Sequence, residues 1–192
     1  MCAIWAWRRR SRPDPVASED AAALRKAGFA PVVNADTRLL ICGSLPGDRS
    51  LAEARYYAHP QNRFWHLLGG AAGLPGLPAL PYDERLAALL ARGIGLWDVA
   101  ASGRREGSLD TALREVERAD LRGLAATLPG LRAVAFNGSA AARIGRRAMA
   151  GAGGIALVDL PSSSPAYCAI TLAEKQQRWM VLARHLDDGR ER

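Results

Sequence analysis

The fold of this chain is decided at residues 39–65, which read LLICGSLPGDRSLAEARYYAHPQNRFW. The stretch begins with a short apolar run, Leu39–Cys42, of the kind that forms a buried strand. The run ends in the small-residue loop Gly43–Gly47, where a backbone can approach another molecule closely. Aromatic rings then stand among polar side chains from Tyr56 to Trp65. Because proteins hold an unpaired base by stacking on a ring and reading a polar edge, this composition favours nucleic-acid binding over plain core packing.

Four short apolar runs are spaced along the chain, at residues 38–42, 93–99, 131–136 and 154–160. Stretches with helical spacing lie between and after them, at 83–91, 108–128, 139–150 and 171–186, the last with Thr171 as a candidate N-cap. This alternation predicts a parallel sheet covered by helices on both faces. Ligands bind beyond the carboxyl ends of such strands. Distinctive polar clusters follow all four, so we expect one site at that edge.

Length and composition limit the class of protein. The 192 residues suit a single domain, which we expect over 21–192 after a flexible Arg-, Ser- and Pro-rich tail over 1–20. No apolar run is long enough to span a bilayer, and the charge of Arg8–Arg10 follows the first apolar stretch instead of preceding it, unlike a secretory signal. We expect a cytoplasmic protein without membrane contact. The net charge of +7 suits a polyanionic partner, although general Arg richness would account for it equally well.

The three cysteines are too few and too scattered for a disulfide framework or an iron–sulfur cluster, and Cys42 is expected to be a small buried hydrophobe. No cluster has metal-ligand spacing, so we expect neither metal nor cofactor. The chain has two lysines, Lys26 and Lys175, and we expect neither of them to lie near the motifs. A Schiff-base mechanism is therefore not expected.

The pattern GSLPG followed by YYAHPQNRFW resembles the first motif of the uracil-DNA glycosylase superfamily, most closely its hypoxanthine-DNA glycosylase branch. The resemblance extends over about residues 38–185 and implies an α/β fold, a three-layer α/β/α sandwich with a central four-stranded parallel sheet. It also implies a monofunctional glycosylase that flips a deaminated base, uracil or hypoxanthine, out of DNA and hydrolyses its N-glycosidic bond in base excision repair. The implied partner is DNA containing such a base, and we expect a monomer.

The resemblance places the catalytic amide at Asn62. Superfamily members that position the attacking water from the GxxPG loop use Asn or Asp at its third position, where this chain has Leu45. An amide oxygen can hold a water against the sugar's anomeric carbon without changing its own charge. An Asn at a helix start can equally be a cap, and the residues alone leave both interpretations open.

Six residues are predicted to bind the base: Gly43, Ser44, Leu45, Tyr57, Asp98 and Asn137. By resemblance, Tyr57 is the ring on which the base stacks, with core packing as the alternative. Asp98 lies where the superfamily reads the base edge, and a carboxylate there could accept N3–H of uracil or N1–H of hypoxanthine; helix capping is the alternative. Asn137 opens an Asn-Gly-Ser element that is too common to be specific.

The segment Pro161, Ser162, Ser163, Ser164, Pro165 resembles the second family motif, and its hydroxyls and amides are expected to hold phosphates. A plain surface loop is the alternative. Arg104, Arg105, Arg143, Arg146 and Arg147 are further candidate phosphate contacts. Leu160 replaces the His that stabilises the base in the main uracil enzymes. Together with Leu45, this replacement gives weight to a second hypothesis, a damaged-DNA-binding module without catalysis.

Overall fold

A computed structural model describes residues 25–187 of the chain, so the predicted tail and the start of the predicted domain lie outside the described residues. The strands in chain order are β1 (Arg25–Ala27), β2 (Leu39–Gly43), β3 (Ile94–Asp98), β4 (Ala100–Arg104), β5 (Arg114–Arg118), β6 (Ala133–Asn137) and β7 (Ala156–Leu160). Four of them form a parallel sheet in the order β3-β2-β6-β7, and β1-β4-β5 form a small antiparallel sheet. The four predicted strands are thereby confirmed.

The helices are α1 (Asp48–Glu53), α2 (Phe64–Ala72), α3 (Tyr82–Ala91), α4 (Leu121–Ala126), α5 (Ser139–Ala148) and α6 (Leu172–Trp179), with short 3-10 helices at Leu77–Ala79, Asp110–Ala112 and Met180–His185. Thr171 caps α6 as predicted, in a capping box with Glu174. None of the helices in residues 25–187 is both long and apolar enough to cross a membrane.

Alternate residues of β2 enter two separate hydrophobic cores. Leu39 and Ile41 pack with residues of α2 and α6, whereas Leu40 and Cys42 pack with residues of α4 and α5. Because both faces of β2 are buried, each in one core, Leu39–Cys42 are apolar without alternation. The sheet therefore lies between two helical layers, and the predicted α/β/α sandwich is confirmed.

The strand register brings the predicted motifs to one edge. In the pairing of β2 with β3, Gly43 lies beside Asp98. In the pairing of β6 with β7, Asn137 lies beside Leu160, directly before the Pro161–Pro165 loop. The carboxyl ends of all four parallel strands thus carry the residues singled out from the sequence.

The helix predicted over residues 108–128 is wrong for most of its length. The chain there forms a 3-10 helix and then β5, and α4 follows only at Leu121. β5 pairs with β4 across a connection of nine residues, with Arg104 Nη1 donating to Glu115 Oε1 at 3.0 Å and Ser102 Oγ donating to Glu117 Oε2 at 2.8 Å. Pairing between distant residues has overridden the local helical pattern.

Candidate active site

The first part of the candidate site is a corner formed over Gly43, at the ends of β2 and β3. A Cβ atom on Gly43 would lie 2.7 Å from Asp98 Oδ1 and 3.0 Å from Tyr57 Oη, so only glycine leaves room for both groups. Asp98 Oδ2 and Tyr57 Oη are buried, and neither has a hydrogen-bond partner within residues 25–187. Because buried polar atoms are nearly always paired, these two atoms mark a place where a ligand can complete the pairing.

Burial changes the titration of both groups at this corner. It raises the pKa of Asp98 to about 7; the Phe29 backbone N–H and Arg105 act in the opposite direction, and Asp110 raises it further. The pKa of Tyr57 is raised well above its usual value, by burial first and by Asp98 second. The Asn137 amide partly offsets this rise without forming a hydrogen bond of good geometry with Oη. At neutral pH, Asp98 is therefore divided between its neutral and charged forms, while Tyr57 keeps its proton.

The Tyr57 ring is held from behind by Phe64. The two ring centroids are 3.5 Å apart and the planes differ by 10°, and Phe64 is fully buried at the start of α2. Tyr57 adopts a left-handed backbone conformation, with φ +52°, which a residue with a side chain adopts only at a cost of about 1–2 kcal/mol. One ring face is thus occupied, and the opposite face is the one that could stack on a base. Tyr56 and Trp65, in contrast, lie in the hydrophobic core.

Asn62 lies directly before Arg63, the N-cap of α2. Its Oδ1 accepts from the Phe64 N–H at 3.0 Å, and its own N–H donates to His59 O at 2.9 Å. Asn62 therefore fixes the turn that enters α2, a structural role close to the capping alternative left open by the sequence. The Arg63 N–H donates to Ser163 O at 3.1 Å, which places Asn62 next to the second motif loop. His59 Nδ1 accepts from the Gln61 N–H and so helps to fix this turn.

The Pro161–Pro165 loop is fastened to β6 by Asn137. The Asn137 Nδ2 donates to Ser163 Oγ at 2.8 Å, and the Ser163 N–H donates to Asn137 Oδ1 at 2.8 Å. Gly138 has φ +99°, and a Cβ atom on it would lie 3.1 Å from Ser162 Cβ, so glycine permits this close approach. Asn137 is thus largely committed to Ser163, while Ser162, Ser164 and Pro165 form the accessible rim of the loop.

Helix α6 supports the second motif loop and helix α2 from below. Lys175 Nζ donates to Ser164 O and Tyr167 O, Gln176 Nε2 donates to Leu67 O at 3.1 Å, and Trp179 Nε1 donates to Pro161 O at 3.0 Å. In the folded protein, a lysine does lie beside a motif loop, so the expectation that none lies near the motifs is wrong. Lys175 is 6% exposed beneath the second loop. Its ammonium group is engaged by two carbonyls, and burial lowers its pKa.

The other lysine also lies beside a motif loop, because Lys26 pairs with Asp48 directly after the GSLPG segment and donates to Gly107 O. Its position is fixed by folding of the β4–β5 connection against α1. Both lysines are far from the motif loops in sequence, so sequence spacing did not predict that they lie beside these loops in the fold. Among the residues that the structure describes, no three His, Cys, Asp or Glu side chains are grouped to hold a metal ion.

Arg105 holds the GSLPG loop from the other side. It is 2% exposed and donates to Leu45 O at 3.1 Å and to Pro46 O, and it pairs at 3.3 Å with Asp110, which accepts from Ser44 Oγ. The predicted phosphate contact of Arg105 is therefore wrong, because its guanidinium is buried and both Nη atoms are hydrogen-bonded, while Nε is buried without a partner among the described residues. The Leu45 side chain belongs to the core, so only its backbone could take part in base binding. No local pattern separated Arg105 from its exposed neighbours.

The remaining candidate arginines differ among themselves. Arg104 pairs with Glu115, and Arg146 donates to Asp159 at 2.9 Å. Arg143 and Arg147 are exposed on α5. Of the five arginines proposed as phosphate contacts, these last two stay the simplest candidates.

The family model described as the uracil DNA glycosylase superfamily matches residues 30–184 of the chain. The chain belongs to this superfamily. Two curated relatives are named hypoxanthine DNA glycosylase. The one from Methanosarcina barkeri is 45% identical over 115 residues, covering 60% of this chain and 72% of that protein. The one from Methanosarcina acetivorans is 39% identical over 160 residues, covering 83% and 99%.

A solved structure agrees with this membership. It is a solution NMR structure of a Methanosarcina acetivorans protein assigned provisionally to the uracil DNA glycosylases. It superimposes with a TM-score of 0.74 at 38% identity, covering 84% of this chain and 98% of the other. The resemblance found in the motifs, including that to the hypoxanthine branch, is thereby confirmed.

Proposed function

We propose that this DNA glycosylase, a hydrolase of N-glycosidic bonds, removes a deaminated base from DNA by base flipping and water-mediated hydrolysis, as the first step of base excision repair. The observation that carries the proposal is the corner over Gly43, where Asp98 Oδ2 and Tyr57 Oη are buried and unpartnered beside a ring that Phe64 supports. A flat base with a polar edge satisfies all three features. The names of the two curated relatives favour hypoxanthine over uracil as the preferred base.

Each part of the site takes one task in this proposal. The free face of Tyr57 stacks on the flipped base, and Asp98 contacts its hydrogen-bonding edge, with the Gly43–Leu45 backbone and Asn137 as neighbours. Asn62 positions the attacking water on the sugar. The rim of the Pro161–Pro165 loop contacts phosphates, and the protein acts on DNA as a monomer in the cytoplasm. Excision passes through a transition state with positive charge on the sugar. A water that the neutral Asn62 amide holds against the sugar stabilises mainly this state, so Asn62 should contribute more to the excision rate than to DNA binding.

The proposal is tested with duplexes that carry a single hypoxanthine, uracil or xanthine, and with an undamaged duplex. Single-turnover release of each base is measured by strand cleavage at the abasic product. We expect release of hypoxanthine to be fastest and no release from undamaged DNA. Tight binding to the lesion duplexes without release of any base would instead support the damage-binding module.

Replacing Asn62 with alanine separates catalysis from binding. We expect the single-turnover rate of Asn62→Ala to fall by about 100-fold or more, the range typical of a lost catalytic group, with the Kd for lesion DNA nearly unchanged. Asn34→Ala is a matched control, because Asn34 is half-buried and bonds Thr37 in a turn before β2, away from the carboxyl ends of the strands. Wild-type excision by Asn62→Ala would move the catalytic role to Asp98 or His59.

A further inference from the structure

The two oxygens of Asp98 are not equivalent. The Phe29 backbone N–H interacts with this carboxyl group and lowers its pKa, and because Oδ2 is the oxygen that is buried without a hydrogen-bond partner, we assign this donor to Oδ1. In a neutral carboxyl group, the carbonyl oxygen is the better acceptor and the other oxygen bears the proton. Neutral Asp98 therefore keeps Oδ1 as its carbonyl oxygen and presents Oδ2–H as a donor without an acceptor.

We infer that Asp98 works as a neutral acid, donating Oδ2–H to the carbonyl oxygen that deamination creates on the base. This oxygen is O6 of hypoxanthine or O4 of uracil, and the inference rests on the proposed function. Deamination replaces an amino donor with a carbonyl acceptor at this position. Adenine and cytosine would place an N–H against Oδ2–H, leaving two donors facing each other without an acceptor. The direction of one hydrogen bond would thus separate the damaged base from its parent, in contrast to the carboxylate acceptor expected from the sequence.

The groups that face Asp98 support its neutral form. Cys42 faces it from β2, Tyr56 and Tyr57 from the segment before α2, and Arg105 and Asp110 from the β4–β5 connection, and each of them interacts with it electrostatically. Cys42 and both tyrosines are neutral, because burial raises the pKa of each.

Arg105 is the cation of this set, but its hydrogen bonds go to other groups. Its guanidinium donates to Leu45 O, Pro46 O and Asp110, so Asp98 receives only its long-range attraction. A buried carboxylate with one backbone donor and no hydrogen-bonded cation is poorly stabilised. Because Oδ2 is buried in the free protein, entry of the base requires the side chains of the corner to move apart. The base then supplies the missing acceptor.

Asp98→Asn provides the test, because its amide keeps both hydrogen-bonding directions and cannot ionise. The Phe29 N–H holds the amide oxygen in the place of Oδ1, so Nδ2 presents an N–H where Oδ2–H stood. The single-turnover rate of hypoxanthine release is measured from pH 6 to pH 8 for the wild type and the variant. We expect the wild-type rate to fall about tenfold as Asp98 ionises near pH 7, since each pH unit above a pKa reduces the protonated fraction about tenfold. The Asp98→Asn rate should be close to the wild-type rate at pH 6 and flat across the range.

Two further variants separate the Oδ2–H bond from simple space filling and from a contribution of His59. Asp98→Leu should lose most activity at every pH while binding undamaged DNA as the wild type does. His59→Gln should keep the wild-type pH profile, because His59 only accepts the Gln61 N–H in an exposed turn. A wild-type rate that is flat or rises with pH, or a folded Asp98→Asn protein inactive at pH 6, would overturn the inference while leaving the glycosylase function intact. If the wild type released no base at any pH, both proposals would fail together.

Discussion

The Pro161–Pro165 loop and the corner over Gly43 differ in how completely their polar groups are paired. In the Pro161–Pro165 loop, Ser163 alone makes three hydrogen bonds, two with Asn137 and one with Arg63. In the corner over Gly43, Asp98 Oδ2 and Tyr57 Oη have no partner among the described residues. Since an unpaired buried group is costly, the difference separates a preformed support from a recognition surface that is complete only with its ligand. The following experiments test that contrast.

The largest expected effect is a gain of stability in Asp98→Asn at alkaline pH. The pKa of Asp98 is about 7 in the folded protein and about 3.9 in an unfolded chain, so the folded state holds a proton that the unfolded state releases between these values. Stability contributed by this group is therefore fully present below pH 4 and is lost as pH rises to about 7. At pH 8, Asp98→Asn should raise the free energy of unfolding by about 4 kcal/mol, measured by urea denaturation.

The same measurement at pH 4 should show little difference between Asp98→Asn and the wild type. Asp83→Asn, in the exposed first turn of α3, is the control and should change stability little at either pH. If Asp98→Asn were less stable than the wild type at pH 8, the charged form would be well satisfied, and the contrast between the loops would break down.

An intermediate effect on stability is expected for the Pro161–Pro165 loop, which Asn137 fastens to β6. Asn137→Ala leaves the buried Ser163 N–H and hydroxyl without partners, so unfolding free energy should fall by about 3 kcal/mol. Ser164→Ala is the matched control on the same loop; its hydroxyl accepts from the exposed Ala166 N–H, and its loss should cost less than about 1 kcal/mol. Equal losses in thermal or urea unfolding would show that the Asn137 bonds are not what fixes the loop.

The smallest effect concerns the ring of Tyr57. Tyr57→Ala should weaken lesion-DNA binding by about 2 kcal/mol through lost stacking, a contribution that depends little on salt. Phosphate contacts, in contrast, give a steep salt dependence. A titration at several salt concentrations should therefore give parallel lines for the variant and the wild type. A much shallower slope for Tyr57→Ala would mean that the ring organises phosphate contacts. Tyr57→Phe, which keeps the ring and loses only Oη, should bind more tightly than Tyr57→Ala and more weakly than the wild type.

The sheet and the edge that carries the site could be predicted because both depend on local patterns. Residues 39–42 are apolar without alternation, which indicates a strand buried on two faces, and the structure buries them on both. The polar residues that follow each strand then converge through parallel topology alone. Gly43 and Asp98 meet for this reason, although their contact with Tyr57 depends on a left-handed backbone that no motif predicts.

The rest of the site depends on contacts between residues far apart in sequence. Arg105 looks like any exposed arginine until the β4–β5 connection folds over the GSLPG loop, and Lys175 is distant from the motifs until α6 packs beneath them. Strand β5 depends on long-range contacts in the same way. Its one apolar residue, Val116, does not distinguish a strand from a helix, and only the pairing with β4 makes this segment a strand. Such long-range pairing cannot be derived from local spacing.

Helix α6 limits how short a functional fragment of this chain can be. Lys175 and Trp179 bind the second motif loop, while Gln176 binds the helix that carries the aromatic motif, yet none of these three belongs to the proposed base corner. A fragment ending before Leu172 would keep all seven strands and every proposed base contact. It would still lose the shared support that holds the second motif loop and helix α2 at one separation. In choosing boundaries for expression or for grafting the site onto another scaffold, this remote helix must therefore be retained with the motifs themselves.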